Sequence, residues 1–184
     1  MRILAISGSL RSGSSNTSAL QAAALLAPAG TEIVLYSGLG NLPHFNPDLD
    51  TDQPPQSVAV LRHEIELCDG LLICSPEYAH GIAGSMKNAL DWLVSSLEFP
   101  ETPVAIINTS ARAVHAQAQL REILTTMSAR LIEEASITLP LLGRRLDAAG
   151  IVSAPDLSAQ IRTALDCFMK AIRELQATKE ERLD

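Results

Sequence analysis

Short, uninterrupted apolar runs alternate with longer amphipathic stretches along the whole chain. Residues 2–7 are apolar after Arg2, and 32–36 read Glu-Ile-Val-Leu-Tyr; similar runs follow at 70–75 and 103–108, with a weaker one at 136–139. A strand with one wet face alternates polar and apolar positions. A strand covered on both faces does not, so these runs predict doubly buried strands. Between them the apolar spacing predicts helices over 16–27, 56–68, 84–97, 114–128 and 156–176. The last sets Leu157, Ile161, Leu165, Phe168, Met169, Ile172 and Leu175 on one stripe, and Asp156, after Pro155, is its expected N-terminal cap. The charged tail 179–184 is expected to fray. No repeat, low-complexity tract or linker divides the chain, so 1–184 is expected to form a single domain.

Strand–helix alternation of this kind predicts an α/β fold, a three-layer sandwich with a five-stranded parallel sheet joined by right-handed crossovers. With about five strands the natural doubly wound order is 2-1-3-4-5, the flavodoxin-like arrangement. That order reverses between the first and third strands, and ligands bind beyond the carboxyl ends of strands at such a reversal. The site is therefore expected in the segments after Ser7, after Ser75 and after Asn108.

Composition narrows the class. With 184 residues, 47% hydrophobic and 19% charged, the chain can bury one sizeable core and is too apolar for disorder. The net charge of −7, from 14 Lys+Arg against 21 Asp+Glu, repels phosphodiester backbones, and no basic run interleaved with aromatics appears, so no nucleic-acid partner is expected. No apolar run approaches the ~20 residues a bilayer requires, which argues against a membrane partner. The start, with one basic residue and a run shorter than a secretory core of ~7–15 apolar residues, leads to the expectation that the mature protein begins near Met1 and is cytoplasmic. Three cysteines, Cys68, Cys74 and Cys167, suit a reducing compartment, and the apolar surroundings of Cys68 and Cys74 would raise a thiol pKa, against reactive-thiol chemistry.

The first site segment reads Ser7-Gly8-Ser9-Leu10-Arg11-Ser12-Gly13-Ser14-Ser15-Asn16-Thr17-Ser18. It joins a buried strand to a helix N-terminus, where free main-chain N–H groups and the positive end of the dipole bind anions. Ser9, Ser14, Ser15, Asn16 and Thr17 add donors and Arg11 adds charge, many more than capping requires. Gly8 and Gly13 have the glycine spacing of a Walker A loop, but Ser14 stands where that loop has Lys. There is no G-x-G-x-x-G, and the second strand ends Tyr36-Ser37-Gly38 without a carboxylate for a ribose. What remains is a hydroxyl-lined cup for a single phosphate monoester, as in flavin mononucleotide.

The second segment runs Ser75-Pro76-Glu77-Tyr78-Ala79-His80-Gly81-Ile82-Ala83-Gly84 and continues to Trp92. Glycines beside Tyr78 and a proline suit a flat ring approached by main-chain amides and edged by an aromatic. Lys87, Asn88 and Asp91, at helical spacing, read as anchors of their helix, and Trp92 as a core or subunit-interface residue.

Gly8-Ser9-Leu10-Arg11 through Asn16, then Pro76-Glu77-Tyr78 and Lys87-Asn88-Ala89-Leu90-Asp91-Trp92, resemble the NADPH-dependent FMN reductase family, which includes bacterial quinone, chromate and azo reductases. The loop Leu42-Pro43-His44-Phe45-Asn46-Pro47-Asp48-Leu49 is similar to that family's too, and the resemblance spans Met1 to about Asn108. It implies that Ser9, Arg11, Ser14, Ser15 and Asn16 hold the FMN phosphate, that Pro76, Glu77, Tyr78 and the main chain at Ala79 border the ring, and that Ser110 contacts the flavin. It also implies homodimers or homotetramers. The chain departs from the family pattern at Ala79, where Asn is usual, at Ala83, where Pro is usual, and in Asn108-Thr109-Ser110-Ala111-Arg112-Ala113-Val114-His115, which lacks the usual glycines.

The expected chemistry is an NAD(P)H oxidoreductase: NADPH or NADH delivers hydride to FMN, which then reduces a quinone, free flavin or similar acceptor. No side-chain acid or base is obligatory, and no catalytic residue is assigned; Tyr78, His80 and Arg112 are candidates for shaping the acceptor pocket. A non-catalytic FMN- or nucleotide-binding redox sensor is the alternative. A hydrolase using Ser9 or Ser14 lacks a G-x-S-x-G elbow. His44, His63 and His115 have no spaced partner, so no metal site is expected.

Overall fold

The computed structural model describes residues 1–181, without the side chains of 179 and 180; the fraying expected of the charged tail falls largely outside what is described. The four strong apolar runs form most of a parallel sheet: β1 (Arg2–Ser7), β2 (Glu32–Leu35), β3 (Gly70–Cys74) and, after a short hairpin β4 (Glu77–Tyr78) and β5 (Gly81–Ile82), β6 (Pro103–Asn108). Alternate residues of each strand face opposite layers. Ile3, Ala5, Leu72, Cys74, Ala105 and Ile107 pack with α1 (Ser15–Leu25), α5 (Ala148–Ser153) and α6 (Pro155–Glu180). Leu4, Ile6, Leu71, Ile73, Val104 and Ile106 pack with α2 (Gln56–Glu66), α3 (Gly84–Leu93) and α4 (Val114–Thr126). Both faces are buried, which is why the runs carry no polar alternation.

The sheet order is β2-β1-β3-β6-β7, the doubly wound arrangement expected. The fifth position differs from a single strand. It is split between β7 (Arg130–Leu131), pairing with Pro103 and Val104, and β8 (Ile137–Thr138), pairing with Ile107 and Asn108, so the sheet has six strands. Between them the chain bulges through a 3-10 turn, Glu133–Ala135, and Ser136 Oγ accepts the Ile106 N–H at 3.1 Å where a ladder carbonyl would otherwise serve. Only Ile137 and Thr138 of the weak run at 136–139 are paired as a strand, which accounts for the weak signal.

Helix ends moved for identifiable reasons. Helix α3 stops at Leu93 rather than 97, where Arg62 donates to the Trp92 carbonyl at 2.7 Å and Ser95 turns away to donate to Asp50 at 2.6 Å. Asp156 is not the cap of α6. Pro155 occupies the first helical position, where its missing N–H costs nothing, the Ala154 carbonyl accepts the Ser158 N–H, and Asp156 sits in the first turn. The short α5 was absent from the sequence pattern, although Asp147 caps it by accepting the Gly150 N–H at 2.8 Å.

Candidate functional site

Where β1 leaves the sheet, the Gly8 N–H donates to the Cys74 carbonyl at 2.8 Å, and Ser85 Oγ donates to the Gly8 carbonyl at 2.7 Å. A β-carbon on Gly8 would lie 2.5 Å from Ser75 Oγ, so only glycine lets the first segment lie against the second. The chain then turns through Gly13, at φ 66°, into α1, where buried Ser14 is the cap and accepts the Asn16 N–H at 3.2 Å. The main-chain N–H groups of Ser12, Gly13, Ser14 and Ser15 donate to no acceptor among the described residues. Such a run of free donors at a helix N-terminus is the donor set a phosphate monoester requires. The side chain of Arg11 is exposed beside it, and its main-chain N–H donates to Ser9 Oγ.

Asn16 and Thr17 face inward. Asn16 Oδ1 accepts from Cys74 Sγ and from Thr109 Oγ1, both at 3.2 Å, and so joins α1 to the ends of β3 and β6. Thr17 Oγ1 lies 2.9 Å from Ser7 Oγ at the end of β1.

The segments after Ser7, Ser75 and Asn108 meet as expected. They enclose a cleft of about 290 Å³ lined by Asn16, Ser75, Pro76, Glu77, Asn108, Thr109, Ser110, Arg112, Ala113 and Leu142. Of the residues singled out by sequence, Asn16, Pro76, Glu77, Ser110 and Arg112 line this cleft. Ser9, Arg11 and Ser14 belong to the turn leading into α1, and Ser15 and Thr17 to the first turn of α1, all outside the cleft lining. Tyr78 and Ala79 belong to the β4–β5 hairpin, with Tyr78 58% exposed. Thr109, Ala113 and Leu142 were not foreseen; Leu142 comes from an aperiodic loop with no signal of its own. The Ser110 N–H donates to Asn108 Oδ1 at 3.1 Å, and Ser110 Oγ accepts from Arg112 N, so side-chain hydrogen bonds fix the turns of this glycine-free third loop.

The helical anchors are where their spacing put them. Lys87 pairs with Asp91. Asn88 accepts the Phe45 N–H at 2.8 Å and donates to the Pro43 carbonyl at 2.9 Å. Trp92 is fully buried and also donates to Pro43. Burial raises the Cys74 thiol and pushes Cys68 up to about 11, so neither is a ready nucleophile at neutral pH. No group of three or more metal-ligating side chains occurs among the described residues, and no described helix is long and apolar enough to cross a membrane. A larger cleft of about 440 Å³ lies at the opposite ends of the strands, where Asp69 accepts from Gln176 and Arg2, and Glu101 pairs with Arg130. Volume alone does not locate the site.

A doubly wound parallel sheet with a phosphate-type turn at its reversal and an open cleft beside it defines a flavodoxin-like nucleotide-binding domain. Residues 1–141 match the NADPH-dependent FMN reductase family, and the chain belongs to it. It is 34% identical to an NAD(P)H-dependent FMN reductase of Pseudomonas aeruginosa over 94% of this chain and 97% of that protein. It is 31% identical to a 2-hydroxy-1,4-benzoquinone reductase of a Burkholderia species over 95% and 97%. Its structure is similar to that of FerB, a flavoenzyme NAD(P)H:(acceptor) oxidoreductase from Paracoccus denitrificans, with a TM-score of 0.83, 29% identity, and coverage of 94% and 97%.

Proposed function

We propose that the turn Ser9–Ser15 holds the phosphate of FMN through its free main-chain donors and Arg11, with the flavin ring lying along the cleft between Pro76–Ala79 and Ser110. The protein is an FMN-dependent NAD(P)H oxidoreductase with quinone-type acceptors. FMN, when bound, would supply the redox chemistry between nicotinamide and acceptor. The chain's own residues bind and orient. Glu77, its carboxylate fixed on the Ala116 N–H at 2.9 Å, locks the ring-bordering segment to the start of α4. Tyr78 and Arg112 are exposed, and Arg112 lines the cleft; in this reading Arg112 offsets nucleotide phosphate charge and Tyr78 edges the space for nicotinamide and acceptor.

The observation that carries this reading is the run of unpaired N–H groups at the start of α1. Titrating FMN into the protein and then adding NADPH under anaerobic conditions tests it. The expected result is quenched flavin fluorescence, bleaching of the bound flavin by NADPH, and recovery of colour with a quinone. Bound flavin that never bleaches would favour the non-catalytic sensor, and no binding at all would sink the assignment.

A homo-oligomer in the cytoplasm completes the proposal. Met86, Leu90 and Leu93 of α3 are buried in the protomer's own core, which leaves Val94, 66% exposed, and Leu97, 91% exposed, as the apolar groups of 84–97 free to pair. Light scattering of the purified protein is expected to give a dimer or tetramer.

A further inference from the structure

The hairpin β4–β5 turns through Ala79 at φ 49° and His80 at φ 60°, two non-glycine residues in succession in the left-handed region. Such a pair of conformations persists only where surrounding contacts over-determine it. Three ties to α4 do so. Glu77 on one strand accepts the Ala116 N–H at 2.9 Å, and the Ile82 N–H on the other donates to Gln119 Oε1 at 2.8 Å. The third reaches the turn itself: the His80 ring stacks on His115, in the first turn of α4, with centroids 4.2 Å apart and planes inclined by 25°. The rings are too nearly parallel for their in-plane lone pairs to converge on one point, so the pair is not a chelate.

We propose that His115 is a positioning residue for the flavin site: by stacking on His80 it sets the height of the Ala79–His80 main chain. The importance of that height for the flavin rests on the ring placement proposed above. The third loop runs directly into α4, so one helix fixes both segments that flank the ring. What the stack requires at position 115 is a flat ring, not a proton. Phenylalanine should therefore replace histidine there, and alanine should not.

Hydrogen–deuterium exchange on the flavin-free protein reads the clasp without the cofactor. In His115→Ala the amides of Gly81 and Ile82, on the strand that follows the turn, should exchange roughly 2–10-fold faster, the range an aromatic pair contributes, while His115→Phe stays close to wild type. FMN affinity, from fluorescence quenching, should weaken by a similar factor in His115→Ala and return in His115→Phe. Unchanged exchange in His115→Ala, or a His115→Phe variant as loose as the alanine variant, overturns the proposal. If the wild-type protein binds no FMN while His115→Ala still loosens the turn, the site reading fails and the clasp stands. If FMN binds normally and the turn ignores residue 115, the reverse holds.

Discussion

Thr109 Oγ1 donates to Asn16 Oδ1 across 3.2 Å, linking the helix that follows the phosphate-type turn to the loop on the far side of the cleft. The same oxygen accepts from Cys74, so one amide ties together all three segments at the sheet reversal. Asn16 therefore has a structural role of its own. Asn16→Ala should leave two buried donors without an acceptor, at a cost of ~1–3 kcal/mol. Urea unfolding would show this in the absence of flavin; an unchanged midpoint would mean that the residue matters only to the ligand.

Arg11 is the cationic side chain of the turn and is exposed. Arg11→Ala should weaken FMN binding about tenfold, the low end for a charge-assisted hydrogen bond. The loss should shrink as salt rises, because the site is open to screening. Titration at two ionic strengths reads both effects.

Ala79, at φ 49°, stands where asparagine is more easily accommodated. Ala79→Asn should stabilise the fold by up to ~1 kcal/mol, because an asparagine side chain tolerates the left-handed region by bonding locally. Thermal denaturation should show a rise of about 2–4 °C for a domain of this size.

Gly8 is required for close approach rather than for an unusual φ. Gly8→Ala would put a β-carbon 2.5 Å from Ser75 Oγ and 3.2 Å from the Met86 β-carbon. The expected loss is ~1–3 kcal/mol from overpacking, together with weaker FMN binding as the turn is pushed from the second segment. A variant with full stability and affinity would show that the loops part easily.

The Asp50 carboxyl is held below its usual range, first by the Ser95 hydroxyl and then by Arg62, against the opposing effect of burial. A carboxyl with a depressed folded-state pKa adds stability that is present above its unfolded value, about 3.9, and is lost as pH falls through the folded one. The stability gap between wild type and Asp50→Asn should be full at pH 6, begin to close only as pH falls below about 4, and vanish below the depressed folded value. Urea midpoints measured from about pH 6 to well below pH 4 would detect it.

The central strands were legible because both of their faces are buried, so an unbroken apolar run is itself the signature of β1, β3 and β6. The reversal in strand order then located the cleft from topology alone, and the serine-rich turn could be read as an anion site because helix-start chemistry is local. Tertiary structure decided what depends on partners far along the chain. The Asn16 amide oxygen is taken up by Cys74 and Thr109, which are distant in sequence. The fifth strand broke in two because its hydrogen-bond partner is supplied by the edge of β6 and a serine side chain, neither of which leaves a periodic trace. The left-handed Ala79–His80 turn contradicts local preference and is held by ties from α4, contacts that exist only after the sheet and helices have packed.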